Sequence, residues 1–203
     1  INFFIAVKGV QGHTANGHRA ENPNHHLITL LNNLISKPLD EGNKYFLPTS
    51  IQIPTIDVGN PAHNIIPEMA KATVNIRFND MHSSKTLIKW LQSNVDKVFD
   101  NLINANCTFT TEESAHSFLT KQGVLSKLMS DSVSEVTGRN SNPELATDGG
   151  TSDARFIKDY CEVAELGIRN QTLHQVDEFV YLSDIEDLQK IYLRIIENFF
   201  NKN

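Results

Sequence analysis

Apolar positions along this chain recur with two periods, and the periods alternate in a regular order. Phe3, Ile5 and Val7 alternate with Phe4 and Ala6, the period-two pattern of a strand with one mainly apolar face. Asn22-Pro23 then reads as a helix start with proline at the first helical position, and Leu27, Leu30, Leu31, Leu34 and Ile35 follow at helical spacing. Ile51 and Ile53, with Thr49, Thr55 and Ile56, make a second strand in which Pro54 demands an edge or a bulge. After the turn Gly59-Asn60-Pro61, Ala72, Val74, Ile76 and Phe78 alternate strictly with Thr73, Asn75, Arg77 and Asn79. Ser83 and Ser84 can cap the next helix, whose stripe is Leu87, Ile88, Leu91, Val95, Val98, Leu102 and Ile103, and Cys107 to Thr111 is a last short strand. Strand, helix, strand, strand, helix, strand is the ferredoxin-like βαββαβ order, an antiparallel sheet with two helices on one face. It occupies residues 1–113 and leaves Thr73, Asn75 and Arg77 on the open face.

The pattern changes after residue 113. Val124, Leu125, Leu128, Met129, Val133 and Val136 form a helix ending at Gly138. A short helix through Phe156 and Ile157 and a short strand at Val163, Ala164 and Leu166 follow. Ser183-Asp184-Ile185-Glu186 has the form of a capping box for a final helix carrying Ile185, Leu188, Ile191, Tyr192, Ile195, Ile196 and Phe199. Residues 114–203 thus read as one flank of an α/β layer with too few strands for a complete sheet. The chain begins without Met, directly in a strand-like run, as expected of a piece of something longer.

Composition narrows the classes of function. The formal charge of −6 offers no basic footprint for nucleic acid. No apolar run approaches the ~20 residues of a membrane helix. Cys107 and Cys161 stand outside any Cys-x-x-Cys pair, so both are expected to be reduced thiols of a cytoplasmic protein.

Candidate chemistry lies in loops. Gly149-Gly150-Thr151-Ser152-Asp153 joins a tight turn to helix-capping oxygens, which suits a carboxylate, a phosphate or a developing oxyanion, or a cap that binds nothing. His13 sits in the glycine-flanked turn Gly9-Val10-Gln11-Gly12-His13, and His63-Asn64 precedes the apolar pair Ile65-Ile66. His174 offers a ring nitrogen to zinc, but a zinc site takes three or four protein ligands. No H-E-x-x-H, Cys-pair, G-x-S-x-G, Walker or G-x-G-x-x-G spacing is present.

Taken together, Gly9-Val10-Gln11-Gly12-His13, Glu41-Gly42-Asn43-Lys44-Tyr45-Phe46 with Pro48-Thr49-Ser50, Asn64-Ile65-Ile66-Pro67, Asn75-Ile76-Arg77, Phe118-Leu119-Thr120, Gly149-Gly150-Thr151-Ser152-Asp153-Ala154-Arg155-Phe156 and Glu165-Leu166-Gly167 with Thr172-Leu173-His174 carry a resemblance across essentially the whole chain. In that order they resemble the dinuclear-zinc amidase, aminoacylase and carboxypeptidase family, most closely its desuccinylase branch. The resemblance implies that residues 1–113 are a ferredoxin-like lid that also makes a homodimer. It implies that residues 114–203 are the C-terminal part of an α/β zinc-hydrolase catalytic domain. The implied reaction is zinc-dependent hydrolysis of the amide of a succinylated diamino acid, a small-molecule substrate, with neither nucleic acid nor membrane as partner. A deacetylase of the same family and a non-catalytic dimerisation module are the alternatives.

Carried over residue by residue, the resemblance implies a catalytic role at the oxyanion for His13, with a substrate contact at Asn64, both contributed from the lid of the partner subunit. It implies substrate contacts at Arg77, Gly150, Thr151 and Asn170, and a metal ligand at His174. It implies two zinc ions per subunit of the full-length enzyme, with cobalt as a substitute. The other ligands and the catalytic glutamate would lie before Ile1, so this chain alone is expected to bind no metal tightly. Asn16-Gly17, His63, Asp148, Asp177 and Phe179 depart from the family pattern.

Overall fold

The computed structural model describes residues 1–138, 142–147 and 152–201. Two compact units emerge, one built on Ile1–Ser117 and the other on Phe118–Ala146 and the chain from residue 152 onward.

The first unit contains strands β1 (Asn2–Lys8), β2 (Gly12–His13), β3 (Ser50–Asp57), β4 (Ile65–Ile66), β5 (Met69–Arg77) and β6 (Asn106–Glu112), with helices α1 (Pro23–Ile35) and α2 (Ser84–Phe99). The main sheet runs β3-β5-β1-β6, each pair antiparallel. This is the ferredoxin-like order. β5 is hydrogen-bonded on both sides, so every second residue must face the helices: Ala70, Ala72, Val74 and Ile76 are buried while Met69, Lys71 and Arg77 are exposed. Phe3, Ile5 and Val7 of β1 join them, and Leu27, Leu30, Leu31 and Leu34 from α1 with Leu87, Leu91, Val95 and Phe99 from α2 close the core. Each large side chain removed from water in this way contributes roughly 1.5–3 kcal/mol.

The ends of the elements follow local chemistry. Asn22 caps α1 by accepting from Asn24 N, with Pro23 at the first helical position. Ser83 and Thr86 form a reciprocal capping box on α2. Pro54 lies in the edge strand β3 at a register irregularity between Gln52 and Thr55, so the expected edge and the expected bulge coincide. The α2 stripe is shorter than its periodicity suggests. The helix stops at Phe99, and Ile103 lies beyond it with 97% of its surface exposed. Gly9 to Gly17 is more ordered than an irregular loop, since it contains β2 and the 3-10 helix Thr14–Arg19.

One feature of the first unit has no counterpart in the hydrophobic pattern. Asn79 continues the alternation of β5 on its polar side, yet it is buried at 3% exposure. The strand has ended at Arg77, and the chain hooks inward onto Asp40, whose side chain is also 3% exposed. Asp40 Oδ1 accepts from Gly42 N at 2.7 Å, Asn79 Nδ2 at 2.7 Å and Thr49 N at 3.2 Å. His82 Nε2 lies 3.0 Å from Asp40 Oδ2. Asn79 Nδ2 also reaches Leu47 O at 3.2 Å, and Asn79 Oδ1 accepts from Met81 N at 3.0 Å. The loop 40–49 wraps around this carboxylate. Gly42 takes φ +72, and a Cβ there would stand 2.6 Å from Phe46 O, so the turn admits only glycine without strain.

The second unit contains α3 (Val124–Thr137), α4 (Ala154–Ile157) and α5 (Leu182–Asn201). Gly138 ends α3 in the left-handed region at φ 65, as a C-terminal glycine should. α5 packs against α3, with Ile191, Leu128 and Val133 buried. Two expectations fail here. Val163 to Leu166 is not a strand, because no strand is present among the described residues of this unit to pair with it; it is tethered instead through Val163 O to Thr120 and Leu166 O to Tyr192. Ser183 does not cap α5, because the helix already begins at Leu182 and Asp184 is drawn to Arg169.

The Asp40 cluster predicts an acid-sensitive fold. Burial opposes ionisation of Asp40, but the bonds from Thr49, Gly42 and Asn79 outweigh it and hold the carboxyl at about 2, below its ordinary 3.8. A lowered folded-state value means stability that is fully present above the ordinary value and lost as pH falls from there toward 2. Thermal unfolding should therefore show a drop in Tm over that window. The Asp40→Asn variant should start lower at neutral pH and show a shallower acid limb; parallel limbs would refute this assignment.

Candidate active site

His13 and Asn64, distant in sequence, are brought together by a short two-stranded pairing. β2 pairs with β4 so that His13 lies opposite Ile65 and Gly12 opposite Ile66. Thr14 N donates to Asn64 O at 3.0 Å, and Asn60 Nδ2 to Ile65 O at 2.8 Å. Both candidate side chains are exposed. His13 is also the N-cap of the 3-10 helix: Ala15 N donates to His13 Nδ1 at 3.0 Å. An imidazole that accepts at Nδ1 carries its proton at Nε2, so the neutral ring presents an N–H donor to solvent. That is the form suited to a developing oxyanion.

Arg77 stands elsewhere, at the C-terminal end of β5 in the four-stranded sheet. It is the last residue of β5, exposed on the polar face and opposite Ser50 of β3. The β2–β4 pairing that carries His13 lies beyond the Met69 end of β5, where Gly9 N donates to Glu68 O. From Met69 to Arg77 a strand rises about 26 Å, at ~3.3 Å per residue. The first unit therefore joins His13 to Asn64 but separates both from Arg77.

Asn170 and His174 share one loop of the second unit. Asn170 O accepts from Leu173 N, Thr172 O accepts from Gln175 N, and the Thr172 hydroxyl both donates to Phe179 O and accepts from Phe179 N. His174 is exposed and held at φ 60, a conformation uncommon for a residue with a Cβ, with its own N–H aimed at Glu178 Oε2 at 3.3 Å. Arg169 clasps Asp184 at the start of α5 through Nε at 2.8 Å and Nη2 at 2.6 Å, which pulls the Asp184 carboxyl below its ordinary range. Gly150 and Thr151 lie outside the described residues. Just after them, Ser152 Oγ rather than Asp153 accepts from the helix, taking Ala154 N at 2.9 Å.

Among the described residues no cluster of three or more His, Cys, Asp and Glu side chains could hold a metal. Among the described residues His174 thus has no such cluster around it, and a zinc site takes three or four protein ligands. Cys107 and Cys161 are free thiols, with burial raising Cys107 to about 11. No helix among the described residues is long and apolar enough to cross a membrane. Two polar groupings escape periodicity altogether, the Asp40 cluster and the Arg169–Asp184 clasp. The signal for the first was the segment from Asp40 to Ser50, whose glycine and asparagine mark a tight turn; the second had none.

Comparison with known proteins places the chain. Residues 1–102, half of its length, match the M20 peptidase dimerisation domain, and the chain belongs to that family. It is 46% identical over 198 residues to succinyl-diaminopimelate desuccinylase 1 of Ruegeria sp. (strain TM1040), covering 98% of this chain and 51% of that protein. It is 44% identical over 196 residues to succinyl-diaminopimelate desuccinylase of Nitrobacter hamburgensis, covering 97% and 50%. The chain spans about half the length of the curated relatives it matches. Its fold is similar to that of a tripeptidase from Staphylococcus aureus, with TM-score 0.72 and 18% identity over 96% of this chain and 50% of that one. An amidase of the hydantoinase/carbamoylase family from Burkholderia vietnamiensis gives TM-score 0.73 and 13% identity over 96% and 46%.

The cap at His13 has a measurable consequence. Nitrogen-15 NMR of the imidazoles should find His13 in the Nε2–H tautomer when neutral. Its Nδ1 should couple through a hydrogen bond to the Ala15 amide. A predominant Nδ1–H tautomer would remove the donor from the side proposed to face substrate.

Proposed function

We propose that the whole protein to which this chain belongs is a zinc-dependent amidohydrolase that splits N-succinyl-L,L-diaminopimelate into succinate and L,L-diaminopimelate, in the cytoplasmic synthesis of lysine and cell-wall precursors. The observation that carries this reading is the 42–46% identity to enzymes of that name through 97–98% of the chain, both units included.

The chain's own residues then divide the work. Arg77 presents a planar fork that pairs bidentately with a substrate carboxylate. Asn170, with Gly150 and Thr151, contacts the same substrate. His13 Nε2–H and the Asn64 amide donate to the scissile carbonyl oxygen as it gains charge. His174 is one ligand of the metal, and the remaining ligands and the catalytic base would come from the half of the protein that the relatives carry and this chain lacks. Zinc, of which the whole protein would hold two per subunit, supplies Lewis-acid polarisation of the amide.

The span between His13 and Arg77 supports a dimer. A substrate of this size cannot bridge ~26 Å, so one lid's His13 and Arg77 serve different substrate molecules. A second copy of this chain would restore the missing donor to each site. The flank of the lid formed by α1 and the edge strand β3 suits that contact. Ile28 and Ile35, one heptad apart on α1, are 62% and 55% exposed. Ile56, shifted by the bulge into register with core-facing Ala72, is 60% exposed. A domain of the matched class with an open strand edge beside such a patch is suited to a two-fold contact.

Two measurements test these assignments in the full-length enzyme. Arg77→Ala should lower kcat/KM by about 2–4 kcal/mol equivalent if the carboxylate pair is desolvated, with folding and zinc content unchanged. The loss should shrink on an analogue lacking the carboxylate that Arg77 reads; equal losses on both compounds would leave Arg77 as a brace of the lid. Ile28→Glu combined with Ile56→Lys should halve the mass seen by light scattering at micromolar concentration and lower activity with it. A dimer of unchanged mass would move the interface to another face.

A further inference from the structure

We infer that Asp40 is the positioning residue for Arg77: its buried carboxylate holds the backbone of both strands where Arg77 stands. The inference rests on the reading of Arg77 as a carboxylate-binding residue. It is carried by the geometry beneath that residue.

Arg77 ends β5, and its cross-strand neighbour Ser50 begins β3, which is an edge strand. Strand ends at a sheet edge are where hydrogen bonds open first. An arginine there has a long flexible stem, and a bidentate fork gains from it only if its root is fixed. The chain fixes both sides of the Ser50–Arg77 pair with one group. On the β3 side, Thr49 N, immediately before Ser50, donates to both Asp40 oxygens at 3.2 and 3.3 Å. On the β5 side, Asn79, two residues past Arg77, gives its Nδ2 to Asp40 Oδ1 at 2.7 Å. Asn79 N and Thr49 Oγ1, 3.5 Å apart, close the ring between the two sides. His82 and Gly42 N complete the set of donors around the carboxylate.

A carboxylate this enclosed is costly to bury unless its lone pairs are filled, and here they are filled by groups from both strand ends and the intervening loop. Its loss would therefore not be absorbed locally. Asn79 Nδ2 and Thr49 N would lose a charged acceptor together, and the end of the β3–β5 ladder would be released at the residue proposed to bind substrate. A charged hub spanning both strands is what a rigidly placed Arg77 requires.

The test uses the full-length homodimer with zinc, assayed well below each variant's Tm, on N-succinyl-L,L-diaminopimelate and on an analogue lacking the carboxylate read by Arg77. Asp40→Asn should raise KM for the natural substrate roughly ten-fold with kcat little changed, since misplacement of a binding group by about 1 Å has effects of this order or larger. The effect should shrink on the analogue and be absent in an Arg77→Ala background. Asn79→Ala, which cuts the same tether from the other end, should reproduce the pattern and serves in place of Asp40→Asn if that variant does not fold. Folded variants whose KM is unchanged, or whose losses are equal on both substrates or additive with Arg77→Ala, would overturn the inference and leave Asp40 a clasp of the loop. If Arg77→Ala itself fails to discriminate the two substrates, the reading of Arg77 falls and this inference falls with it. If Arg77→Ala discriminates and neither tether variant does, the inference alone falls.

Discussion

The first unit depends on the pairing of β5 with β1 on one side and β3 on the other. That central strand supplies Ala70, Ala72, Val74 and Ile76 to the core, and its antiparallel register with β1 sets Phe3 against Val74 and Ile5 against Ala72. Because side chains alternate with period two, a slip of one residue would carry the whole apolar row to the open face and bury Lys71 and Arg77. The same register decides the layout of the candidate site. The length of β5 holds the β2–β4 pairing with His13 at one end and Arg77 at the other, so the separation that argues for a dimer is a direct consequence of the strand that makes the core.

Two polar arrangements of this unit lie beyond the two ends of β5, and each solves a different problem. At one, the short β2–β4 pairing and the His13 cap order an exposed turn with backbone bonds, leaving the imidazole and Asn64 side chain facing water. At the other, a buried charge does the ordering. Asp40 is tolerated because donors from Gly42, Thr49, Asn79 and His82 surround it. The two solutions fit their proposed roles. A group that acts on a neighbouring subunit's substrate must be exposed, whereas one that anchors an arginine can be enclosed.

The second unit is held differently. α5 carries a long apolar stripe, yet Ile185, Tyr192, Ile196 and Phe199 remain between 44% and 54% exposed while Ile191 alone of the helix is counted in the core. Polar ties carry much of the order in the loop that leads into it: the Arg169–Asp184 clasp, the Thr172–Phe179 pair and the Tyr192 hydroxyl on Leu166 O. Helical periodicity reports the face a helix would bury, not whether a surface is there to bury it.

The sequence alone was sufficient for the elements whose causes are local. Period-two and period-3.6 runs gave the order of strands and helices in the first unit, Asn22-Pro23 and Ser83 gave helix starts, Gly138 gave a helix end, and Pro54 marked an edge and a bulge, because each effect is written within a few residues. The same reading overextended α2 to Ile103, saw a strand at Val163 and placed a cap at Ser183, because a pattern survives where the hydrogen-bonding partner does not. Tertiary structure alone decided what depends on distant partners. Asn79 left the polar face of β5 for a buried carboxylate 39 residues earlier, and His13 met Asn64 across a two-residue pairing. Likewise, Arg77 was set at the far end of the sheet from both, a distance that no local pattern contains because it is fixed by which strands pair and in what register.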